Sequence, residues 1–585
     1  MPCSEAKLCG LAINNLTHKP GGPDCMSRKK NNTLENRPWF KVWPAHLEKK
    51  FKYPNEPAWW ILEQAAGPFA DRTAIRFLNH DNLREIECLS YGKLWQQAKS
   101  LAAGLHWLGV KKGDRVAVML PNSPAIIISY YGIWMAGAAI TPCNAMAKDK
   151  EIAYQLNDSG AKILIVADTL YDVASPVAAK LGVKMILAPV DEMFGKKAVS
   201  NTIQFQELVN SGKDRPSDFT IDPVRDMAVL LYTGGTTGEP KGAILTHRNI
   251  VANTIQFAHW YDFQPGGETC VCTIPMSHSG GMSGVMNVPL YAGGTLIAMK
   301  RFFPEPVAKV IEKYRATRFF GVPTMYVAIL NDENARKCNL TSLKACRTNA
   351  APLPVAVKVA FDQLIGKEVL VEGYGLTETS PLTHANPLHR PKAGSIGIPL
   401  PDTDCKIIDL QTGEDVGINK EGELLIRGPQ VMTAYWNKPE ATEKVMKDGW
   451  FHTGDVVRMD EEGYFYIIDR LKDMIICGGY KIWPREVEEV LYQHPKVRMA
   501  MVIGVPDDFY GEVPKAFVVM KEQAGTATPE EMRTFCKQTV APYKMPRIIE
   551  FCESLPISPQ GKVLRRVVRD REKDAHRSSK KSSKK

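Results

Sequence analysis

The sequence predicts an α/β fold: a large N-terminal domain of layered α/β subdomains with a small β unit, followed by a small α+β C-terminal domain. From Trp39 to about Asp226, helical stretches alternate with short apolar runs, which is typical of a largely parallel sheet covered by helices. Three later runs, "DCKIIDL", "GELLIRGP" and "GYFYIIDR", have no helices between them and indicate antiparallel strands. Beyond Arg470 helices and strands mix again over about 110 residues, enough for an independent domain.

The elements can be assigned in order. "LSYGKLWQQAKSLAAGLHWLGV" has helical periodicity, and "DRVAVML", "AKILIVAD" and "VKMILAP" are predicted strands. The apolar run at 125–140 is predicted to be a buried helix, because it is too short and too interrupted to span a bilayer. A second α/β set contains "GTLIAM", "ATRFFGVPTMYVAIL" and "KEVLVEGYG". In the C-terminal region, "PREVEEVLYQHP" and "TPEEMRTFCKQTV" are predicted helices, and "VRMAMVIGVPD" and "PKAFVVMK" are predicted strands.

These changes in pattern divide the chain into four parts. Residues 1–36 are polar and punctuated by Gly and Pro, so a poorly ordered extension is predicted. The N-terminal domain covers 37–470 and the C-terminal domain 471–570. Residues 571–585 form a basic tail, in which seven Lys and Arg residues outweigh two acidic ones. A solvated tail is expected, with contact to anionic lipid or a polyanionic substrate as the alternative.

The composition is that of a soluble globular protein, with 44% apolar and 24% charged residues. The N-terminus lacks a basic segment followed by an apolar core, so a cytoplasmic protein is expected, with peripheral membrane contact through the tail as the alternative. The thirteen cysteines form neither a disulfide framework nor pairs at zinc-ligand spacing, which predicts free buried thiols. The tail has no aromatic residues, which argues against nucleic-acid binding.

The stretch "YTGGTTGEPKGAILTH" at 232–247 predicts a loop held between two strands. Glycines let backbone N–H groups approach an anion, Thr hydroxyls donate hydrogen bonds and Lys241 adds positive charge, so the loop suits a polyphosphate. It is not a Walker A loop, because Pro240 precedes the lysine and opposes the helix that such a loop begins. A flexible hairpin is the alternative.

Three other stretches carry residues suited to nucleotide chemistry. In "VEGYGLTETS", Glu378 suits Mg²⁺ and Tyr374 can stack on a purine. Asp455 follows a Thr-Gly turn and is suited to the two hydroxyls of a ribose, with Arg470 at the end of the next strand. Lys562 lies in a loop bounded by Pro and Gly. Taken singly, each has a structural alternative as a surface or core residue.

In order, these motifs resemble the adenylate-forming superfamily of acyl-CoA synthetases, luciferases and peptide-synthetase adenylation domains. The resemblance covers roughly 39–566. It implies that a carboxylic acid is activated with ATP and Mg²⁺ to an acyl-adenylate, and that coenzyme A, as a substrate, then takes the acyl group. The C-terminal domain is implied to be mobile, alternating between an adenylating and a thioester-forming arrangement.

The resemblance assigns roles residue by residue. The ATP phosphates are implied to bind Thr233, Gly234, Gly235, Thr236, Thr237, Gly238 and Lys241. The adenine pocket and adjoining nucleotide contacts are implied to involve Ala350, Ala351, Pro352, Glu372, Gly373, Tyr374, Gly375 and Ile467. Ribose contacts are implied for Asp455 and Arg470, a hinge for Lys472, and the pantetheine passage for Gly478 and Gly479. The implied catalytic residues are Lys562, His278, Thr377 and Glu378, with Glu378 holding the metal. The family more often has Gly-Gly-Ala or Ser-Gly-Ala where this chain has Asn349, Ala350 and Ala351.

The acid itself is predicted from the size of the pocket. Ser279, Gly280, Gly281, Gly321 and Gly375 are small, which favours a medium- or long-chain fatty acid over acetate, although glycines at tight turns have a backbone explanation. The closest rival is an aryl- or alicyclic-carboxylate:CoA ligase. A luciferase-like adenylating oxygenase, a peptide-synthetase adenylation domain and a non-enzymatic nucleotide-binding protein are further alternatives. The sequence leaves the oligomeric state open.

Overall fold

The computed structural model describes residues 37–190, 202–214, 218–233, 240–507, 509–521, 525, 527–557 and 563–582. The strands, in chain order, are β1 Thr73–Leu78, β2 Glu85–Ser90, β3 Arg115–Met119, β4 Ala139–Pro142, β5 Ile163–Ala167, β6 Lys184–Ala188, β7 Ile203–Gln204, β8 Met227–Thr233, β9 Lys241–Thr246, β10 Thr269–Cys272, β11 Thr295–Met299, β12 Arg318–Gly321, β13 Ala345–Thr348, β14 Leu370–Gly375, β15 Leu382–Ala385, β16 Ile398–Pro399, β17 Asp404–Ile408, β18 Gly422–Arg427, β19 Ala434–Tyr435, β20 Met446–Lys447, β21 Trp450–Met459, β22 Phe465–Arg470, β23 Ile475–Cys477, β24 Tyr480–Ile482, β25 Val497–Asp507, β26 Gly511–Met520 and β27 Ile548–Phe551.

The α-helices are α1 Trp60–Ala66, α2 Tyr91–Trp107, α3 Pro124–Met135, α4 Asp149–Ser159, α5 Tyr171–Leu181, α6 Phe205–Val209, α7 His247–Trp260, α8 Val288–Tyr291, α9 Pro304–Tyr314, α10 Pro323–Asn331, α11 Glu333–Lys337, α12 Val355–Ile365, α13 Pro439–Val445, α14 Pro484–Gln493, α15 Pro529–Lys537 and α16 Arg565–Ser582. A π-helical segment, Gly281–Asn287, leads directly into α8. Short 3₁₀ turns cover Pro38–Val42, Asp168–Leu170, Thr377–Thr379, Leu471–Asp473 and Pro542–Lys544.

Two large mixed sheets confirm the predicted α/β class. One has the strand order β16-β15-β14-β13-β12-β10-β11-β1-β2, with parallel pairing from β14 to β1. The other has the order β19-β9-β8-β4-β3-β5-β6-β7, and β8 and β9 form its antiparallel hairpin. In the first sheet the carboxyl ends of the parallel strands share an edge, which is where ligands bind in α/β proteins.

The small β unit is antiparallel, as the three helix-free runs indicate. Its order is β17-β18-β21-β20, and β22 pairs with β21. The last sheet has the order β24-β23-β26-β25, with β27 parallel to β26, and its residues form an apolar cluster that extends from Ile475 to Val568. Helix α16 begins at Arg565 and continues through 570, where the sequence places the start of the basic tail.

The long apolar run at 125–140 is a helix only in part. Helix α3 ends at Met135, Gly137 adopts a φ of +75°, and the residues from Ala139 belong to the buried strand β4. The prediction of one buried helix was therefore wrong for the end of the run, because a left-handed glycine turns the chain into the sheet. Within the described residues, no helix is long and apolar enough to cross a membrane.

The thiols of the described chain are free, as predicted, and most of them are buried. Burial also determines the importance of one ion pair, between β12 and the residue that precedes β10. Arg318, at the start of β12, donates from Nε and Nη2 to the carboxylate of Glu268, each at 3.0 Å. Both side chains are almost fully buried. Such a pair depends on both partners, because removing one leaves a charge in an apolar environment.

We expect Arg318→Met to lower the unfolding free energy by about 3 kcal/mol or more, because it leaves the buried Glu268 carboxylate without its bidentate partner. Calorimetric thermal unfolding measures the change. The matched control is Lys344→Met: its ammonium lies 3.5 Å from the same carboxylate, but half of its side chain is exposed, so its loss is expected to cost less than about 1 kcal/mol. Equal shifts in the two variants would contradict the prediction.

Candidate active site

The glycine- and threonine-rich motif joins two strands, as its sequence predicts. Strands β8 and β9 are antiparallel, and Thr233 lies opposite Lys241. The Oη of Tyr154 donates to the carbonyl of Pro240 at 2.8 Å and secures the returning chain. Two predicted sets lie outside the described residues: Lys562, and the loop residues Gly234, Gly235, Thr236, Thr237 and Gly238.

Glu378 is connected to this hairpin by Tyr435, a residue that the sequence analysis missed. The Oη of Tyr435 donates to Oε1 of Glu378 at 2.7 Å, and the ammonium of Lys241 lies 5.0 Å from the centre of the Tyr435 ring. The backbone N–H of Met432 donates to the Glu378 carbonyl at 2.7 Å. No local pattern marks Tyr435, because strand β19 reaches Glu378 only by pairing with β9. The Glu378 carboxylate keeps further lone pairs and so fits a hard cation such as Mg²⁺.

Asp455 is held by two predicted site residues. Strand β22 places Arg470 opposite Asp455 on β21, with Arg470 Nε 3.1 Å from Oδ1. Tyr374, on β14, donates its Oη to Oδ2 at 2.5 Å. The charge of Asp455 raises the pKa of Arg470. A carboxylate has about four lone-pair positions, so this one can still accept from two ribose hydroxyls.

Three predicted segments leave the same edge of the first sheet. Gly321, Thr348 and Glu372 are neighbours in register on β12, β13 and β14. Each strand then runs into a site segment: Pro323 begins α10, Ala350 to Pro352 follow β13, and Gly373 to Gly375 end β14. Ala350 adopts a φ of +74°, a conformation that glycine adopts at lower cost, which fits the glycine that the family more often has at this position. The edge therefore gathers residues from separate motifs.

His278 lies on the loop that follows β10, a fourth parallel strand of this edge. Its Nδ1 accepts from the backbone N–H of Gly280 at 3.3 Å, which favours the tautomer with hydrogen on Nε2. A Cβ at Gly281 would lie 2.0 Å from the Pro275 carbonyl oxygen, and one at Gly375 would lie 1.8 Å from that of Pro381. Close backbone approach therefore explains both glycines, and neither supports the argument about acyl-chain length.

The predicted hinge and pantetheine residues lie around β22 and β23. Lys472 is in the turn after β22, where burial and then Arg470 lower its pKa. Gly478 and Gly479 form the two-residue turn between β23 and β24, with φ of +56° and +87°. Two left-handed residues suit the twist of such a hairpin. Ile467 lies on β22, and its carbonyl accepts from Arg485 Nη1 at 2.9 Å.

Arg485, at the start of α14, is a second residue that the sequence analysis missed. Its backbone N–H donates to Asp469 Oδ2 at 2.8 Å, and this hydrogen bond holds the start of α14 against β22. Its charge also acts on Glu372, which is buried and has one carboxylate oxygen, Oε2, with no protein partner among the described residues. Burial raises the pKa of Glu372 to about 7, against the smaller opposing effect of Arg485.

The comparisons with known proteins identify the chain. The AMP-binding enzyme family matches residues 62–436, and the AMP-binding enzyme C-terminal domain matches residues 486–562. The chain belongs to the AMP-binding enzyme family. It is an acyl-CoA synthetase, an acid–thiol ligase that uses ATP, with CoA as the acyl acceptor. Mg²⁺ is typical of this family.

The similarity to known relatives and solved structures covers most of the chain. The chain is 41% identical to the long-chain-fatty-acid–CoA ligase of Bacillus subtilis (strain 168), covering 92% of this chain and 99% of the relative. It is 37% identical to the feruloyl-CoA synthase of Amycolatopsis sp, covering 83% and 94%. ATP-bound MatB from Rhodopseudomonas palustris superposes with a TM-score of 0.79 at 28% identity, covering 89% and 100%. The anthranilate CoA ligase AuaEII with anthranoyl-AMP gives 0.80 at 25%, covering 91% and 99%.

We expect Glu372→Gln to remove one component of the pH dependence of stability. A carboxyl whose pKa rises from 4.5 to about 7 on folding holds its proton more tightly in the native state. It therefore favours folding at low pH, and this contribution declines between pH 4.5 and 7, by on the order of 3 kcal/mol.

The difference in melting temperature between pH 5 and pH 8 measures this effect in wild-type and Glu372→Gln enzyme. The difference should be smaller in the variant, because glutamine does not titrate. Asp469, whose pKa burial raises to about 6, is present in both proteins and cancels in the comparison. An identical pH dependence would contradict the assignment.

Proposed function

We propose that the enzyme activates a medium- or long-chain fatty acid to its acyl-adenylate and then transfers the acyl group to CoA, releasing AMP and pyrophosphate. The observation that carries the proposal is the convergence of Tyr374 and Arg470, from separate motifs, on the buried carboxylate of Asp455. The fatty-acid–CoA ligases among the relatives support the choice of acid.

In this proposal the chain's own residues orient the nucleotide. Asp455 accepts from the ribose hydroxyls, while Arg470 and Tyr374 fix its two oxygens. Lys241 and the loop before it bind the phosphates. Glu378, oriented by Tyr435, would hold Mg²⁺, and this cation would neutralise phosphate charge. Ala350, Ala351 and Pro352 line the adenine side, and Thr377 contacts the α-phosphate. Each interaction places charge or hydrogen-bond donors before the reaction begins, which lowers its reorganisation cost.

We assign the attack of the carboxylate to a site that includes Lys562 and His278. Lys562 places positive charge between the carboxylate and the α-phosphate, which otherwise repel each other, and the in-line attack then expels pyrophosphate. We also assign Lys472 to a hinge, so that the domain from 471 to 570 alternates between delivering Lys562 and presenting Gly478 and Gly479 to pantetheine. The CoA thiol then displaces AMP from the acyl carbon.

An aryl-carboxylate:CoA ligase is the second candidate. It is favoured by the feruloyl-CoA synthase among the relatives and by the anthranilate CoA ligase among the similar structures. The backbone explanation of Gly281 and Gly375 removes part of the volume argument for a long chain. Direct comparison of acids therefore has to separate the two candidates.

We expect pyrophosphate release from ATP and Mg²⁺ to be highest with a fatty acid in a panel from acetate to palmitate that includes benzoate, cyclohexanecarboxylate and ferulate. Acyl-CoA should form only when CoA is present. Lys562→Ala should lower the adenylation rate by at least about 100-fold, because it removes the charge that offsets the repulsion. Thioester formation from preformed acyl-adenylate is the control, since this half-reaction does not need Lys562. A preference for benzoate or ferulate would support the rival, and light emission without thioester would support an oxygenase.

For the location of the enzyme we propose the cytoplasm, with peripheral contact to anionic membranes through residues 571–585. The support is the charge of this segment, whose residues up to Ser582 belong to helix α16, and the interfacial position of fatty acids. We expect deletion of 571–585 to reduce co-sedimentation with phosphatidylserine vesicles at low salt, but not with neutral phosphatidylcholine vesicles. Activity on a soluble short-chain acid serves as the folding control. Unchanged sedimentation would contradict the contact.

A further inference from the structure

Arg347 is a buried cation that has no carboxylate partner among the described residues. It lies on β13 and is 2% exposed. Its Nε donates to Asn349 Oδ1 at 3.0 Å, whereas Nη1 has no protein hydrogen-bond partner among the described residues. Burial lowers the pKa of Arg347 to about 10, so the guanidinium keeps its charge at pH 7. A buried charge without a counter-ion is costly, which makes this position unusual.

Arg318 provides the contrast within the same sheet. It is equally buried and also packs over a ring, with its Cζ 4.7 Å from the centre of Phe263, but the chain places Glu268 against it. Arg347 packs over two rings: its Cζ lies 4.3 Å from the centre of the Phe257 ring and 5.5 Å from the centre of the Phe320 ring. Cation–π contact stabilises the guanidinium but does not satisfy its N–H donors.

A second donor without a protein partner lies in the same apolar surroundings. Tyr261 is fully buried, and its Oη has no hydrogen-bond partner among the described residues. Its ring packs on the same pair of phenylalanines, with centres 5.2 Å from Phe257 and 6.1 Å from Phe320. Burial raises the pKa of Tyr261 to about 12, so the phenol remains a donor at neutral pH. The guanidinium and the phenol therefore supply two donors around one pair of rings.

These donors lie among the segments that carry Gly281, Gly321 and Gly375, three of the small residues from which the acyl pocket is predicted. Gly284 is six residues after His278 on the following helix, and a Cβ there would lie 3.7 Å from Arg347 Nη1. A Cβ at Gly373, on β14, would lie 3.5 Å from Tyr261 Oη. Tyr326, in the "GVPTMY" segment, donates its Oη to the Arg347 carbonyl at 2.8 Å. The two donors therefore lie beside the segments that contain His278, Gly373 and "GVPTMY".

We propose that Arg347 and Tyr261 bind a second carboxylate on the acyl chain, so that the preferred substrates are α,ω-dicarboxylic acids. This inference rests on the proposed function and deepens it. One carboxylate attacks ATP and becomes the thioester, while the other keeps its charge, pairs with the guanidinium and accepts from the phenol. A site built to bind such a group discriminates strongly against an acid that lacks it, because the donors then remain unpaired.

The test compares matched pairs of acids, each a monocarboxylic acid and the α,ω-dicarboxylic acid of equal carbon number, from six to sixteen carbons. Wild-type enzyme should favour the diacid in kcat/KM by about tenfold or more at its best length. Arg347→Met should abolish that preference and raise kcat/KM for monoacids, since an uncharged side chain of similar length no longer needs a counter-ion. Arg347→Lys should keep part of the preference, and Tyr261→Phe should reduce it.

Several outcomes would overturn the proposal. One is a wild-type preference for monoacids at every length. Another is an Arg347→Met variant that loses activity on both series in equal proportion, which is the result of a purely structural role. If Arg347→Met does not fold, the wild-type pairs and Tyr261→Phe decide. If wild type makes no thioester from any acid, the proposed function fails separately. Melting temperatures measured with ATP and diacid, and with ATP and monoacid, then decide whether the second carboxylate is bound.

Discussion

The carboxylate of Asp455 connects two parts of the structure whose strands pair differently: the small antiparallel unit and a large mixed sheet. It lies on the antiparallel unit, where β22 brings Arg470 to one oxygen, and it receives the Tyr374 hydroxyl from the end of a strand in the large mixed sheet. A buried carboxylate needs such partners, because an unpaired charge costs more than a hydrogen bond returns. The position of the antiparallel unit against the sheet edge is therefore tied to the nucleotide chemistry that we propose for that edge.

Parallel pairing supplies the other constraint. Strands β10, β12, β13 and β14 all end at one edge, so segments more than ninety residues apart in sequence, from His278 to Tyr374, share it. Several of the glycines there leave room for backbone, as Gly281 and Gly375 demonstrate against the carbonyls of Pro275 and Pro381. At this edge, backbone segments therefore pack closely against each other where glycines allow it. The side chains around the edge carry the chemical specificity.

The two buried arginines illustrate how charge is managed in this core. The chain itself neutralises Arg318 with Glu268, and the pair connects β12 to the residue that precedes β10. Arg347 receives aromatic rings and one amide oxygen instead. Packing over phenylalanine lowers the cost of burying a guanidinium without removing its preference for an anion. The same residue type therefore has a structural role at one position and, in our proposal, a ligand-binding role at the other.

The sequence by itself determined the fold class, the antiparallel unit and the strand–loop–strand character of the Gly- and Thr-rich motif, because hydrophobic periodicity and turn residues act over short distances. The order of the motifs was also sufficient to indicate the family. Only the tertiary structure decided where α3 ends and β4 begins, that Tyr435 orients Glu378, that Arg485 fastens α14 to β22, and that Arg347 and Tyr261 share an apolar environment. These features depend on contacts between residues far apart in the chain, and no local pattern encodes which partner a buried polar group will meet or lack.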